Sequence, residues 1–159
     1  MNAIELLTAD HRAVDKLFQQ IEATNQSEHP AIFLQIKSEL DTHAHIEETI
    51  FYPSLQESGD ERMRELVSEA IQEHMQAKTV LGELAVLVTE PAKLDPLLLK
   101  LIEDVRHHVE EEEGELFPLV ETQFDAADLD ELGAQLEAEK QRFVASAESM
   151  SAQFGNETI

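Results

Sequence analysis

The sequence predicts an all-α protein, an up-and-down antiparallel four-helix bundle with an additional C-terminal helix. Apolar residues recur at intervals of three and four along almost all of the 159 residues, which is the period of helices that bury one face. Glycine and proline are few, with five of each, and Pro30, Gly59 and Pro96 lie at plausible breaks between helices. No segment alternates like a strand. We expect a single domain over residues 1–159, with the bundle over about 3–122 and the additional helix over about 128–152.

The spacing of the apolar residues predicts five helices, over about 3–25, 30–57, 60–89, 96–122 and 128–152. Asn2 and Glu5 form a predicted capping pair at the start of the first helix. Pro30 suits the first turn of the second helix. Ser58 and Glu61 predict a capping box for the third.

The last two helices also begin with recognisable signals. Asp95 is a good N-cap for the fourth helix, with Pro96 at its first position. Asp128 and Glu131 mark the start of the fifth. Because the connections between the helices are short, neighbouring helices should run in opposite directions.

The composition narrows the classes of function. The net charge of −23 disfavours nucleic acid and anionic membranes, which bind through Lys and Arg clusters, and we expect neither as a partner. Cysteine is absent, which excludes disulfides, zinc–thiolate sites and iron–sulfur clusters. No signal peptide or membrane-spanning stretch is visible. We therefore expect a cytoplasmic protein, as a monomer or a homodimer.

Six polar side chains interrupt the apolar seams of four helices: His11, His43, Glu47, His74, His108 and Glu112. Each histidine lies on a different helix, in register with the apolar residues that form the buried face of that helix. Glu47 follows His43 by four residues, and Glu112 follows His108 by the same interval. Residues four apart lie on one helix face, one turn from each other. Two helices therefore present an imidazole and a carboxylate to the same level of the interior.

This arrangement is typical of a metal site. A lone histidine on an apolar face is usually a hydrogen-bonded core residue, but four histidines with two matched glutamates are difficult to explain that way. Buried unpaired carboxylates are costly, and a multivalent cation neutralises them. Imidazole with carboxylate suits iron, manganese, zinc or nickel. Two carboxylates can bridge a pair of ions, and the histidines can take the outer positions.

The chain also repeats this motif. Segments 43–53 and 108–118 share glutamates four and five residues after the histidine, an aromatic residue nine after it and a proline ten after it. The lone histidines, His11 and His74, are 63 residues apart, and the two segments begin 65 residues apart. Two hairpins related by a pseudo-twofold axis would bring all six side chains around one centre.

With this pattern the chain resembles the hemerythrin-like family, also called the HHE cation-binding domain, over about residues 5–120. The family places a lone histidine, His-x-x-x-Glu, another lone histidine and another His-x-x-x-Glu on four bundle helices. The resemblance implies two non-haem iron ions bridged by Glu47, Glu112 and an oxo or hydroxo group, with manganese or zinc as alternative metals. It implies four terminal ligands: His11, His43, His74 and His108.

The chain departs from the oxygen-carrying hemerythrins. Their third helix has His-x-x-x-His, whereas here Lys78 follows His74 by four residues. Their fourth helix has His-x-x-x-x-Asp, whereas here a glutamate stands at that position. One histidine fewer leaves exchangeable positions or an additional ligand, and argues against reversible oxygen carriage. Glu115, seven residues beyond His108, is the candidate ligand; the alternative is a solvated carboxylate at the bundle end.

The neighbours of these side chains are assigned mainly structural roles. Glu48 and Glu113 are expected to orient the ligands or to face solvent. His45 and His107 lie off the core phase, and His29 is expected to be a cap or loop residue. The aromatic residues of the repeated segments are expected to pack the bundle: Phe51, Tyr52 and Phe117.

Three functions are consistent with the sequence. The first is a di-iron protein that binds or responds to O2, nitric oxide or peroxide as a small ligand. The second is an iron-handling or peroxide-reducing enzyme, and the third is a metal-free helical interaction module. Ferritin-like oxidation is disfavoured because that class uses Glu-x-x-His on two helices, and no histidine here follows a glutamate by three residues.

Overall fold

The computed structural model describes the backbone of residues 1–157 and the side chains of residues 1–150. Its five helices are α1 (Ala3–Ala23), α2 (29–58), α3 (Glu61–Val86), α4 (91–123) and α5 (Ala126–Glu157). The first four form the predicted up-and-down bundle, and α5 packs on α1 and α2. Within this range no residue belongs to a strand, and no helix is long and apolar enough to cross a membrane.

The capping prediction is right for α1 and wrong for α3. The Glu5 backbone N–H donates to the Asn2 side chain at 2.9 Å, and the Asn2 backbone N–H donates to Glu5 at 3.2 Å. At α3 the cap is Asp60, which accepts from the Met63 backbone N–H at 2.9 Å. Ser58 cannot serve as the predicted cap because it is the last residue of α2.

The fourth helix starts earlier than predicted. It begins at Pro91, so Pro96 lies inside the helix. Leu94 is fully buried in the core, and its burial draws this additional turn into α4. Asp95 is therefore not a cap. Its carboxylate instead contacts the His29 Nδ1 atom at 2.7 Å, which ties α4 to the start of α2.

The fifth helix is longer than predicted at both ends. It begins at Ala126, where Asp125 accepts a hydrogen bond from the Asp128 backbone N–H at 2.8 Å. It continues to Glu157, beyond the predicted end at about residue 152. Gly133 allows α5 to approach α1 closely, because a Cβ atom there would lie 2.4 Å from the Met1 carbonyl oxygen.

Two π turns interrupt α2 and α4 at equivalent positions of the repeat. They cover Glu47–Phe51 and Glu112–Leu116, so each begins at a predicted ligand glutamate. Pro53 and Pro118 follow two residues after the turns and have no N–H to donate to the carbonyl four residues earlier. A turn closed by an i→i+5 bond contains about one residue more than an α turn. The inward phase of both helices therefore changes just after the glutamates.

The apolar core consists of two clusters separated by a polar layer. One cluster contains Leu7 and Phe51 and is covered by α5. The other contains Val14 and Leu98 and lies toward the opposite end of the bundle. On α1, His11 falls between Leu7 and Val14, and the other predicted ligands lie at the same level. The fold thus places the polar side chains in the middle of the bundle.

Candidate metal centre

The structure brings the six predicted side chains together. Each glutamate lies between a histidine of its own helix and a histidine of the other hairpin. The ring Nε2 atoms and carboxylate oxygens are separated by 2.9 Å for His43–Glu47, 3.3 Å for His74–Glu47, 3.1 Å for His11–Glu112 and 3.4 Å for His108–Glu112. The α2 and α4 carboxylates therefore connect the two hairpins.

The four histidines form two matching pairs, one in each hairpin. The His11 and His43 rings have centroids 4.8 Å apart and an interplanar angle of 63°. The His74 and His108 rings have centroids 4.9 Å apart and an angle of 67°. This agreement places the pseudo-twofold axis predicted from the repeat between the two glutamates.

Several atoms of this cluster are buried without a directed hydrogen bond in the described part of the chain, although His43 Nε2 and a Glu47 oxygen are only 2.9 Å apart. They are Nε2 of His11, Nε2 of His43, both carboxylate oxygens of Glu47 and Oε1 of Glu112. Polar atoms buried in this way are costly unless another group satisfies them. The cluster contains two sets of metal-ligand atoms that share Glu112, one with His11 and His43, the other with Glu47, His74 and His108. The donor set therefore fits a pair of cations.

Each histidine is oriented by a carboxylate on the far side of its ring. The Nδ1 atoms contact carboxylate oxygens at 2.7 Å in His11–Glu113, 3.0 Å in His43–Asp10, 2.8 Å in His74–Glu48 and 2.8 Å in His108–Glu73. An Nδ1–H that donates to a carboxylate leaves Nε2 free to bind a metal. Of the two alternatives for Glu48 and Glu113, the structure supports the orienting role.

Sequence reasoning missed Asp10 and Glu73 as orienting residues. Each immediately precedes a lone histidine, so it is rotated away from the core phase of its own helix. The side chain reaches across to the histidine of the next helix instead. The signal was present in the repeat, because an acidic residue precedes both His11 and His74.

Cationic side chains hold three of the four orienting carboxylates. The pairs are Arg12–Glu113 at 2.7 Å, Lys140–Asp10 at 2.5 Å and Lys78–Glu48. Lys78, which replaces the additional histidine of the oxygen carriers, thus supports His74 through Glu48. The fourth orienting carboxylate, Glu73, is grouped with His107 and Glu111 instead of with a lysine or an arginine.

Tyr52 contributes a hydroxyl group to the cluster, so the prediction that it only packs the bundle is wrong. Its hydroxyl donates to Glu112 and lies 3.2 Å from His74 Nε2. Phe117, at the same position of the other repeat, stacks on the His11 ring at 5.8 Å. The π turn before Tyr52 directs its ring to the centre. The sequence contained one indication of this role, because Tyr52 has a hydroxyl group and Phe117, at the equivalent position, does not.

Glu115 is not near the centre, so its prediction as an additional ligand is wrong. Its side chain is 55% exposed and binds Arg62 at 2.9 Å. The π turn over Glu112–Leu116 changes the phase, so that Leu116 faces inward and Glu115 faces solvent. His107 is exposed, as its phase predicted.

The carboxylates around His43 and His108 favour protons on these two histidines. Burial lowers the pKa of His43, but the charge of Glu47 and the hydrogen bond to Asp10 raise it to about 10. Burial also lowers the pKa of His108, whereas Glu112 and Glu73 raise it to about 11. Metal ions that bind these side chains must displace the protons, which makes metal affinity dependent on pH.

A cavity of about 430 Å³ reaches the centre from the side of the second apolar cluster. All four histidines line it, together with apolar residues that include Val14, Leu81 and Val105. Glu47 and Glu112 are not part of the lining. A small molecule could approach the histidine side of the centre through this cavity.

Comparison with known proteins agrees with this geometry. The profile of a family described as "Hemerythrin HHE cation binding domain" matches residues 2–120. The chain belongs to this HHE cation-binding family. The match covers all six converging side chains and ends before α5. The candidate metal-ligand groups of the structure thus lie within a domain that the family description assigns to cation binding.

A solved structure shows the same HHE fold. It is a hemerythrin HHE cation binding domain-containing protein, the Rv2633c homologue from Mycobacterium kansasii, and is 27% identical. The similarity covers 92% of this chain and 90% of that chain, with a TM-score of 0.78. A "DNA nickase" of Nostoc sp. (strain PCC 7120 / SAG 25.82 / UTEX 2576) is 23% identical over 146 residues, which are 89% of this chain and 40% of the nickase. The chain therefore spans two fifths of the length of that relative.

Proposed function

We propose that this chain is a non-haem di-iron protein that binds or responds to O2, nitric oxide or peroxide at the metal pair. The observation that carries the proposal is the convergence of four imidazoles and two carboxylates, five of whose buried atoms lack a directed hydrogen bond in the described part of the chain. Two cations at this point would neutralise the carboxylates and satisfy these atoms.

The ligand assignment follows the two hairpins. His11 and His43 would hold one ion, and His74 and His108 would hold the other. Each carboxylate contacts histidines of both pairs, so Glu47 and Glu112 are the proposed bridging ligands. Mixed imidazole and carboxylate ligation suits iron, and manganese or zinc is the alternative.

The surroundings support binding of a small ligand. Two histidines for each ion and shared carboxylates leave coordination positions for exchange, and iron supplies redox chemistry when it is bound. The cavity gives access to all four histidines, and its lining contains both apolar and charged side chains. The Tyr52 hydroxyl oxygen lies 3.2 Å from His74 Nε2, beside the proposed metal position.

The direct test is the metal content of protein produced in iron-supplemented medium. We expect about two iron ions per chain, an optical spectrum that changes on exposure to nitric oxide or peroxide, and a melting temperature that falls on chelation, because a ligand bound to the folded state stabilises it. His108→Ala should lose metal. His29→Gln is the control, because His29 contacts Asp95 and the carbonyl groups of Ile21 and Thr24 rather than the cluster, and it should keep the metal. Equal metal content in both variants would contradict the assignment.

Peroxide reduction is the second candidate function, favoured by the hydroxyl group of Tyr52 beside the proposed metal position. Turnover of hydrogen peroxide by the iron-loaded protein, and its loss in His74→Ala, would support catalysis. Equal rates in the two proteins would exclude it. Nicking of DNA is not adopted from the Nostoc relative, because a net charge of −23 opposes contact with a phosphate backbone.

A further inference from the structure

A side chain of α5 reaches the support of the candidate metal centre. Lys140 Nζ lies 2.5 Å from one carboxylate oxygen of Asp10. The other oxygen of Asp10 accepts from His43 Nδ1 at 3.0 Å. The Asp10 side chain is only 7% exposed and that of Lys140 is 30% exposed. A continuous chain of polar contacts thus connects the fifth helix to a proposed metal ligand.

This connection differs from the other supports of the histidines. Arg12 and Lys78, which bind the equivalent carboxylates, belong to the bundle itself. Lys140 lies outside residues 2–120, the part that matches the HHE family. The repeat counterpart of Asp10 is Glu73, whose neighbours are His107 and Glu111 rather than a lysine. Lys140 therefore adds a contact that the two-hairpin repeat does not contain.

The position of Lys140 is fixed by packing on both sides along α5. Leu136, one turn earlier, is fully buried in the apolar cluster beneath the centre. Phe143, about one turn later, stacks on the His45 ring with centroids 4.3 Å apart. Glu139 also contacts His45 at 2.8 Å. The ammonium group is thus presented to Asp10 by a docked helix rather than by a free surface side chain.

We propose that Lys140 is a positioning residue which holds Asp10 against His43, so that docking of α5 and retention of metal at the His11–His43 side strengthen each other. A buried carboxylate requires partners for its charge. Without Lys140, the Asp10 side chain is expected to turn toward water, and the His43 ring would lose its orientation. Outer partners of this kind typically change metal affinity roughly 10–100-fold. The inference rests on the proposed metal-binding function.

The experiment uses the full chain loaded with zinc, which is diamagnetic and takes the same ligands. Metal retention against a chelator and the histidine ring nitrogen signals by NMR are compared in Lys140→Met, Lys140→Arg and Arg142→Met. Arg142 is the matched control, because its side chain is 71% exposed on the same helix and binds only Glu139 among the described residues. We expect Lys140→Met to release one of two ions roughly 10–100-fold faster and to alter the His43 signal. Lys140→Arg should restore both, and Arg142→Met should match the unaltered protein.

A second measurement needs no substitution. If docking and metal binding are coupled, each must favour the other. Zinc should therefore slow amide hydrogen exchange in residues 136–143 by about tenfold, within the usual range of such coupling. Unchanged exchange would overturn the inference, as would equal metal retention in Lys140→Met and Arg142→Met. In either case an unaltered protein that binds two ions would leave the proposed function standing, whereas a protein that binds none would remove both.

Discussion

The two helical hairpins, α1–α2 and α3–α4, place equivalent side chains at the centre and support them differently. The ring centroids are 4.8 Å apart in the His11–His43 pair and 4.9 Å apart in the His74–His108 pair, so the two histidine pairs match closely. The surroundings do not match. The first hairpin supplies Tyr52 where the second supplies Phe117, and the carboxylate that holds His43 binds Lys140 from α5.

This difference separates the features that the proposed metal pair requires from those that modify the properties of one metal position. Two ions shared by two bridging carboxylates require equivalent donors from both halves, and the repeat provides them. The Tyr52 hydroxyl and the Lys140 ammonium group each lack a counterpart at the equivalent position of the repeat. They would therefore make the two metal positions unequal in affinity and in access to hydrogen-bond donors.

Removal of a bridging carboxylate should have the largest effect. In Glu112→Ala we expect metal affinity to fall by more than the roughly 100-fold typical of outer partners, because Glu112 belongs to both candidate ligand groups. Glu47→Ala should have a similar effect if the halves are equivalent. Metal titration of both variants measures this. An intact metal pair in either variant would contradict a bridging role for that residue.

Exchange of the two aromatic residues tests the asymmetry directly. Tyr52→Phe removes a buried hydrogen bond to Glu112, so the metal-free protein should lose about 1–3 kcal/mol of unfolding free energy. Phe117→Tyr should be neutral or stabilising by about 1 kcal/mol, because by the pseudo-twofold its hydroxyl would reach Glu47, whose oxygens lack a directed hydrogen bond among the described residues. Urea unfolding of both variants gives the values. Equal losses would show that Tyr52 owes its effect to packing rather than to its hydroxyl.

The smallest effect is expected at His29, which joins the hairpins far from the metal centre. Burial lowers its pKa, but Asp95 and the carbonyl groups of Ile21 and Thr24 raise it above the ordinary value of 6.5. Its stabilisation is therefore complete below pH 6.5 and is lost as pH rises through the raised pKa. The difference in unfolding free energy between the unaltered protein and His29→Gln should shrink as the pH rises above 6.5. A difference that does not vary with pH would contradict a protonated His29.

The sequence alone was sufficient to predict the candidate ligands, because their order along the chain and their position on each helix face are local properties. Four histidines at core phase and two glutamates one turn beyond could only meet if the four helices packed along their apolar seams. Glu115 was misplaced by the same reasoning, which assumed an unbroken α-helical period. The period changes at the π turn, and prolines at 53 and 118 indicate an interruption without specifying its type.

What the sequence determined by itself was the helical fold, the repeat and the inward direction of six side chains: His11, His43, Glu47, His74, His108 and Glu112. The tertiary structure decided which residues support them. Asp10 and Glu73 act on histidines of neighbouring helices, and Lys140 acts from a helix at the far end of the chain. Such contacts depend on how helices pack in space, and residue spacing along one helix carries no information about them.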